Sequence, residues 1–482
     1  MKNIKLILSI IVALSLASCG DFLEKGPTTS QSTEVTLSNY AGLNKAAYAA
    51  IMPMYSWYSS SYVQHVEMRS GNGRREASGT FQSGRFYSEY IWNYSADATS
   101  GMWGSAYYVI SAANNVINNL EGKDNEVGVT AQDLNNLKAE CLFVRALAHH
   151  ILVLYYAQPY TYQPDGLGVP VVLVTELGTP ARNTTREVYA QIVADLTEAE
   201  SIIDPAYVRS GVTDAKATVT LPAIQALLSR VYLYMGEWQK AADYATKVIS
   251  NSKYNLWTAD ELPTVWTKDV ADNGGEVILE FYGKKTNGYY QSWSDISYVT
   301  NPNGYADCGV SNDLYSLYAD NDVRKALHRT DKDNVSGGLM WTTKYAGKGD
   351  GTPDCNNIIV LRLSEMYLNR AEAILNGASV SGTTAIADIN AIRANRGVEP
   401  LTSCAFGDVK LERRLELAYE GHYLWDLGRW GDPVERTDFT AGDNFKNIPF
   451  PSYKWALPIS QSELDINPNL VQNPEYSKLE LP

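Results

Sequence analysis

Apolar residues recur along most of this chain at steps of three and four, the period of a helix with one buried face. The pattern is clearest over residues 218–250. Ala223, Ala226, Leu227, Arg230, Val231 and Tyr234 share one face there. Pro222 suits a first helical turn, and Gly236 suits a helix end. A second stripe follows at Trp238, Ala241, Ala242, Ala245, Val248 and Ile249, and its small residues let two helices approach closely. The same period predicts helices over 39–54, 103–120, 134–156, 363–376, 384–395 and 409–424. Another starts at Thr184, which stands at capping-box spacing from Glu187. Short strands are predicted at 169–174 and 276–282, and the Pro- and Asn-rich tail from residue 443 reads as irregular surface chain.

Two stretches break the pattern, about 57–100 and 254–357. Gly, Ser, Asn, Asp and aromatic residues dominate them, and irregular chain of that length inside a compact fold is usually functional. The expected fold is mainly α: helical hairpins forming a scaffold, with two loop-rich insertions and little β. Leu228, Ser229, Tyr232, Gly236 and Ala241 are spaced as in a tetratricopeptide repeat (TPR) unit, although the proline after its second helix is missing. Such a hairpin needs neighbours to bury its apolar face, so 218–250 reads as scaffold.

The amino terminus adds a location. Lys2 and Lys5 flank the start of an apolar run, which ends in Leu16-Ala17-Ser18-Cys19. This is the layout of a secretory signal, too short to span a bilayer. Cysteine directly after Leu-Ala-Ser resembles a bacterial lipobox, with Cys19 lipidated. The expected organisation is signal peptide 1–18, lipidated tether 19–38 and one helical domain 39–482. Removing the signal leaves 464 residues and shifts the net charge from −14 to −16. An acidic body argues against nucleic acid as a partner. Of the remaining cysteines, Cys141 reads as helix packing, and a Cys308–Cys355 bridge is open.

Catalytic signatures are missing from the chain: it contains no H-E-x-x-H, G-x-S-x-G, phosphate loop or C-x-x-C. His149 and His150 are adjacent and face different ways on a helix, a poor metal pair and better core residues. Residues 331–337 faintly resemble a calcium loop, but Thr342 stands where the terminal glutamate belongs, so a plain turn is favoured. No metal or cofactor is expected.

The aromatic residues are more informative: 33 Tyr, 11 Trp and 9 Phe, many within the two insertions. The first holds Trp57, Tyr58, Tyr62, Phe81, Phe86, Tyr87, Tyr90, Trp92 and Tyr94. The second holds Tyr289, Tyr290, Trp293, Tyr298, Tyr305, Trp341 and Tyr345. An aromatic ring with a flat apolar face matches the C–H face of a sugar, and Arg69, Arg74, Arg75, Asn93 and Asp295 could bond hydroxyls or a carboxylate. Any one of these rings could instead anchor its loop. The candidate ligand-binding residues are Trp92, Tyr94, Asn93, Arg74, Tyr290, Trp293, Tyr298 and Trp341.

Residues 411–431, LERRLELAYEGHYLWDLGRWG, closely resemble a hallmark of the SusD/RagB family, surface nutrient-binding lipoproteins of Bacteroidetes. AECLFVRALAHHILVLYYAQP (139–159), TTREVYAQIVADLTEA (184–199), IVLRLSEMYLNRAEA (359–373), INAIRANRG (389–397) and ALPISQSELDINPNLVQNPEY (456–476) are similar to further family signatures, in order. Three departures stand out. His149 and His150 replace more usual apolar or aromatic residues. Glu475 replaces a common glycine, and Gly428-Arg429-Trp430-Gly431 ends the hallmark in place of an Arg-Arg pair.

Arg145, Arg362, Glu365, Arg370, Glu372, Arg393, Arg413, Glu416, Glu420, Asp426 and Arg429 fall in or beside apolar helices, so some of them are expected to pair across helices. The resemblance implies a non-enzymatic, outer-membrane, cell-surface lipoprotein. It would bind oligosaccharide or polysaccharide and deliver it to a SusC-like TonB-dependent transporter. Peptide capture in the same fold, a surface glycoside hydrolase and a pure TPR scaffold are the alternatives.

Overall fold

The computed structural model describes residues 33–75, 84–212, 214–268, 272–283, 295–302, 304–330, 340–347, 356–442 and 445–476. Helices dominate. In chain order the longer ones are α1 (Tyr40–Trp57), α2 (Val63–Ser70), α3 (Met102–Ile117), α4 (Ala131–Tyr156), α5 (Thr185–Ile202), α6 (Leu221–Met235), α7 (Trp238–Ile249), α8 (Leu363–Leu375), α9 (Ala385–Ala394), α10 (Phe406–Glu416) and α11 (Tyr423–Trp430). Neighbours stack as an array: α1 on α3, α3 on α4, α4 on α5, α5 on α6, α6 on α7, α7 on α8, and α8 on α9 and α10. One hydrophobic core runs through it from Leu43 to Leu470.

The hairpin α6–α7 follows its sequence. Every member of the predicted first face is buried. Gly236 takes φ 74°, where a side chain would be strained, and its amide closes onto the Leu233 carbonyl at 3.1 Å. The Ser229 hydroxyl donates to the Ala241 carbonyl at 3.0 Å, a contact that the small residues of α7 permit. The capping box at Thr184 and Glu187 opens α5, and a second one at Thr130 and Asp133 opens α4. Helix α4 is buried almost all round, which marks it as the centre of the core.

Three expectations need correction. The first insertion does not begin at residue 57: α1 runs through a π-helical turn, Tyr58–Tyr62, into α2 and stops only at Gly71, φ 90°. Tyr58, Tyr62, Val63 and Val66 keep a buried helical face there, while Ser61 bonds back to the Trp57 carbonyl. The expected strand at 169–174 does not form. Most of its bonded backbone groups are taken by side chains instead: Tyr107 donates to the Pro170 carbonyl, Asn114 to that of Val172, and the Val171 amide donates to Asn183 Oδ1, while the Val169 carbonyl accepts from the Asn183 amide. The helix expected over 409–424 splits at Leu417–His422, where Tyr419 (φ 63°) and Gly421 (φ 80°) turn the chain. That turn aims carbonyls at partners. Arg362 takes that of Glu416, Lys344 that of Ala418, and the Tyr345 hydroxyl that of Tyr419.

Strands are short and paired in twos, all antiparallel: β1 (Gly73–Arg74) with β3 (Gly309–Val310), β2 (Val277–Phe281) with β6 (Ile358–Arg362), and β4 (His328–Thr330) with β5 (Met340–Thr342). Cys141 and Cys308 are buried free thiols, so Cys308 forms no bridge. Cys19, Phe81, Tyr289, Tyr290, Trp293, residues 331–337 and Cys355 lie outside the described residues.

The charges of the signature motifs are buried and paired. Glu416 meets Arg324, Arg362 and Arg396 at 2.9, 2.7 and 2.7 Å. Glu420 meets Arg362 and Lys344, both at 2.6 Å. Glu276 joins Arg362 and Arg396, and Glu412 joins Arg324 and Arg393. Burial pushes the Glu416 carboxyl up, but the three arginines outweigh it and hold it well below the usual carboxylate range. Elsewhere Arg145 pairs with Asp195, Arg230 with Glu365, Arg370 with Asp388, Arg413 with Asp426, and Arg429 with Asp426 and Glu372. Pairing goes further than expected: all eleven of these residues have an ionic partner. Such pairs tie helices that hydrophobic packing alone would let slide, and removing one partner strands the other.

Candidate functional site

The two insertions meet on one surface. Strands β1 and β3 join them, and beneath the junction Met68, Tyr90, Val299 and Cys308 form a small core. Phe86, Tyr305 and Phe439 pack on that core from outside. The Arg436 side chain pins its floor: Nη1 donates to the Tyr90 carbonyl at 2.6 Å, and the guanidinium lies 4.2 Å from the Phe439 ring centre.

Above this floor, cations lie over rings. The Arg75 guanidinium sits 4.7 Å from the centre of Tyr87, which is 41% exposed. Arg85 sits 4.3 Å from the centre of the partly exposed Tyr305, and Tyr298 packs 6.5 Å from Tyr305. Arg74, in β1, pairs with Asp438 at 3.4 Å. Trp341, partly exposed, lies in β5, which packs against β3. The arrangement joins flat apolar faces to planar guanidinium forks. It can stack a ring and bond its rim, which suits polyhydroxylated or planar polar ligands.

Several residues expected in a site lie elsewhere. Trp92 is fully buried, at φ 52°; its indole donates to the Arg69 carbonyl at 3.0 Å and its ring meets Trp455 edge-on. It is an anchor within the core and presents no platform. Tyr94 is buried too, its hydroxyl 3.4 Å from His65 Nδ1. Only Asn93, between them, faces solvent. Arg69 is enclosed by His65, Trp92 and the Lys454 carbonyl. Asp295 is buried and caps the helical turn Ile296–Thr300 by accepting from Ser297. Trp57, Tyr58, Tyr62, Tyr90 and Tyr345 are core residues. Arg85 was not singled out from sequence, although Arg85-Phe86-Tyr87 amid Gly and Ser carries the signal.

The histidines act as core. His149 Nδ1 bonds the Arg145 carbonyl at 3.1 Å, and His150 packs edge-on to Tyr189 and Tyr234. Burial, and then Arg230, push the His150 pKa down to about 3. Among the described residues no group of three His, Cys, Asp or Glu could hold a metal ion, and no helix is long and apolar enough to cross a membrane.

Comparison with known proteins decides the lineage. The profile described as "SusD family" matches residues 338–476, and one described as "Starch-binding associating with outer membrane" matches 21–233. The chain belongs to the SusD family. A SusD-like protein of Bacteroides ovatus is 26% identical, over 89% of this chain and 83% of the relative. The crystal structure of a SusD superfamily protein from Bacteroides thetaiotaomicron superposes with a TM-score of 0.79 at 29% identity, covering 92% of this chain and 99% of that one. Surface glycan-binding protein A from the same species, solved with laminarihexaose, shares the fold: TM-score 0.73, 20% identity, 90% of this chain and 99% of that one. Within this SusD family frame, the hallmark segment supplies Glu412, Arg413, Glu416, Glu420, Asp426 and Arg429 to buried ion pairs, so the family signature marks the scaffold.

Proposed function

We propose that this SusD family member is a glycan-binding lipoprotein of the outer-membrane surface. In this reading Cys19 carries the lipid, the surface around Tyr87, Tyr298 and Tyr305 contacts sugar, and the captured oligosaccharide passes to a SusC-like TonB-dependent transporter. The mechanism is capture, without bond cleavage: rings stack on C–H faces, and guanidinium groups bond hydroxyls. One observation carries the reading. The two insertions meet in a cluster of partly exposed tyrosines and arginines, with Tyr87 the most open, on a chain whose amino-terminal half matches starch-binding proteins associated with the outer membrane. The glycan-bound relative supports the same ligand class.

Native gels cast with a panel of polysaccharides test it. Retardation by at least one, with no shortened product after incubation, is expected. Retardation by none would overturn it, and peptide binding would then favour peptide capture. Product release would favour a glycosidase.

A further inference from the structure

A second opening lies apart from these rings. The chain leaving α4 and the C-terminal tail border a cleft of about 500 Å³, within the range of small-ligand sites. It shares no lining residue with the arginine–tyrosine surface. Its walls are pinned by amides. Gln158 Nε2 donates to the carbonyls of Ser452 and Tyr453, at 3.0 and 3.4 Å. Asn473 Nδ2 donates to those of Tyr156 and Leu457, at 2.9 and 2.6 Å. Three segments distant in sequence are thereby held at fixed spacing, so little ordering is left for a ligand to impose.

Two tyrosines stand in these walls. Tyr162 is 41% exposed and Tyr453 37% exposed. Each ring is steadied edge-on by another: Tyr162 by Phe450 at 5.2 Å and Tyr453 by Tyr476 at 5.1 Å. They are fixed in place and still have area to cover. Gln163 and Ser452 add neutral polar groups, and the lining holds one carboxylate, Glu475, and no lysine or arginine. The lining itself offers an anionic ligand like charge, and the adjoining guanidinium, Arg182, is engaged behind the wall by Asn473 Oδ1 and by the carbonyls of Tyr156, Leu167, Gly168 and Val471. A neutral ligand with hydroxyls to donate and C–H faces to stack meets no such repulsion.

We infer that this cleft is a second carbohydrate site, which takes a short neutral saccharide between Tyr162 and Tyr453. The ligand class rests on the glycan reading above; the position rests on the cleft itself.

The test compares wild-type protein with a Tyr162→Ala/Tyr453→Ala variant in native gels. The gels contain starch, a β-1,3-glucan, mannan or xylan, or dextran sulfate as the anionic probe. On the neutral polysaccharide that retards wild type, the variant should lose affinity about tenfold, at unchanged melting temperature. Hydrogen exchange on wild type, with and without the matching neutral oligosaccharide, decides independently of whether the variant folds. Slower exchange in 158–167 and 451–456 is expected. Neutral-glycan binding with unchanged variant affinity and no protection there overturns the cleft and leaves the glycan reading standing. Binding to dextran sulfate alone overturns the neutral assignment. Wild type that binds no polysaccharide overturns both readings.

Discussion

The hallmark segment and the arginine–tyrosine surface both depend on arginine and use it in opposite ways. In the hallmark frame, Arg324, Arg362 and Arg396 are buried, and each is surrounded by carboxylates. In the surface, Arg75 and Arg85 lie over partly exposed tyrosine rings. A guanidinium enclosed by carboxylates fixes geometry and has nothing left to offer a ligand. One stacked on an accessible ring keeps its edge for hydroxyls. The aromatics divide the same way: Trp92 is sealed in the core, and Tyr87, five positions earlier, is exposed.

Breaking the frame should have the largest effect. Glu416→Gln removes the charge shared by three buried arginines and should cost about 3–5 kcal/mol, read as a lower urea midpoint. A loss below about 1 kcal/mol would mean the network is solvated and not structural.

The second effect is a matter of pH. All five histidines of the chain are buried, and His150 titrates at about 3 when folded. The unfolded chain, with a histidine pKa near about 6.5, takes the proton first. Stability is therefore full above about 6.5 and is lost as pH falls towards about 3. His150→Phe suits the cage of Tyr189 and Tyr234 and cannot take that proton. Relative to wild type, its advantage at pH 5 should exceed that at pH 8 by about 2 kcal/mol. Parallel pH curves for the two proteins would contradict the assignment.

At the surface the expectation reverses. Tyr87→Ala should leave stability within about 0.5 kcal/mol and weaken glycan binding about threefold to tenfold, measured by calorimetry on the polysaccharide that retards wild type. Smallest is Glu475→Gly. Glu475 sits at φ 73°, in the left-handed region. Glycine relieves that strain and loses more freedom on folding, so a net gain under about 1 kcal/mol should appear as a slightly higher melting temperature.

Much of the frame was legible because its information is local. The three- and four-residue steps mark α3 to α9, and charges inside apolar helices announce their pairing. The segment 58–70 was hidden by Ser59, Ser60 and Ser61, whose polarity masks a buried face at Tyr58, Tyr62, Val63 and Val66. The split after α10 depends on carbonyls recruited by Lys344 and Arg362, far away in the chain. The site was legible only as a region. Composition revealed aromatic insertions, but the exposure of a given ring depends on backbone conformation, as the inward Trp92 at φ 52° shows. The cleft at Tyr162 and Tyr453 could not be read at all, since its walls come from segments nearly 300 positions apart.

On the proposed reading, the helices carry charge for structure and the insertions carry rings for sugar. Calorimetry of a Tyr87→Ala/Tyr305→Ala variant against the polysaccharide that retards wild type, with the melting temperature recorded on the same sample, tests it most directly. Affinity reduced at least tenfold is expected, while the protein melts as wild type does. Undiminished affinity in a protein that melts normally would contradict it.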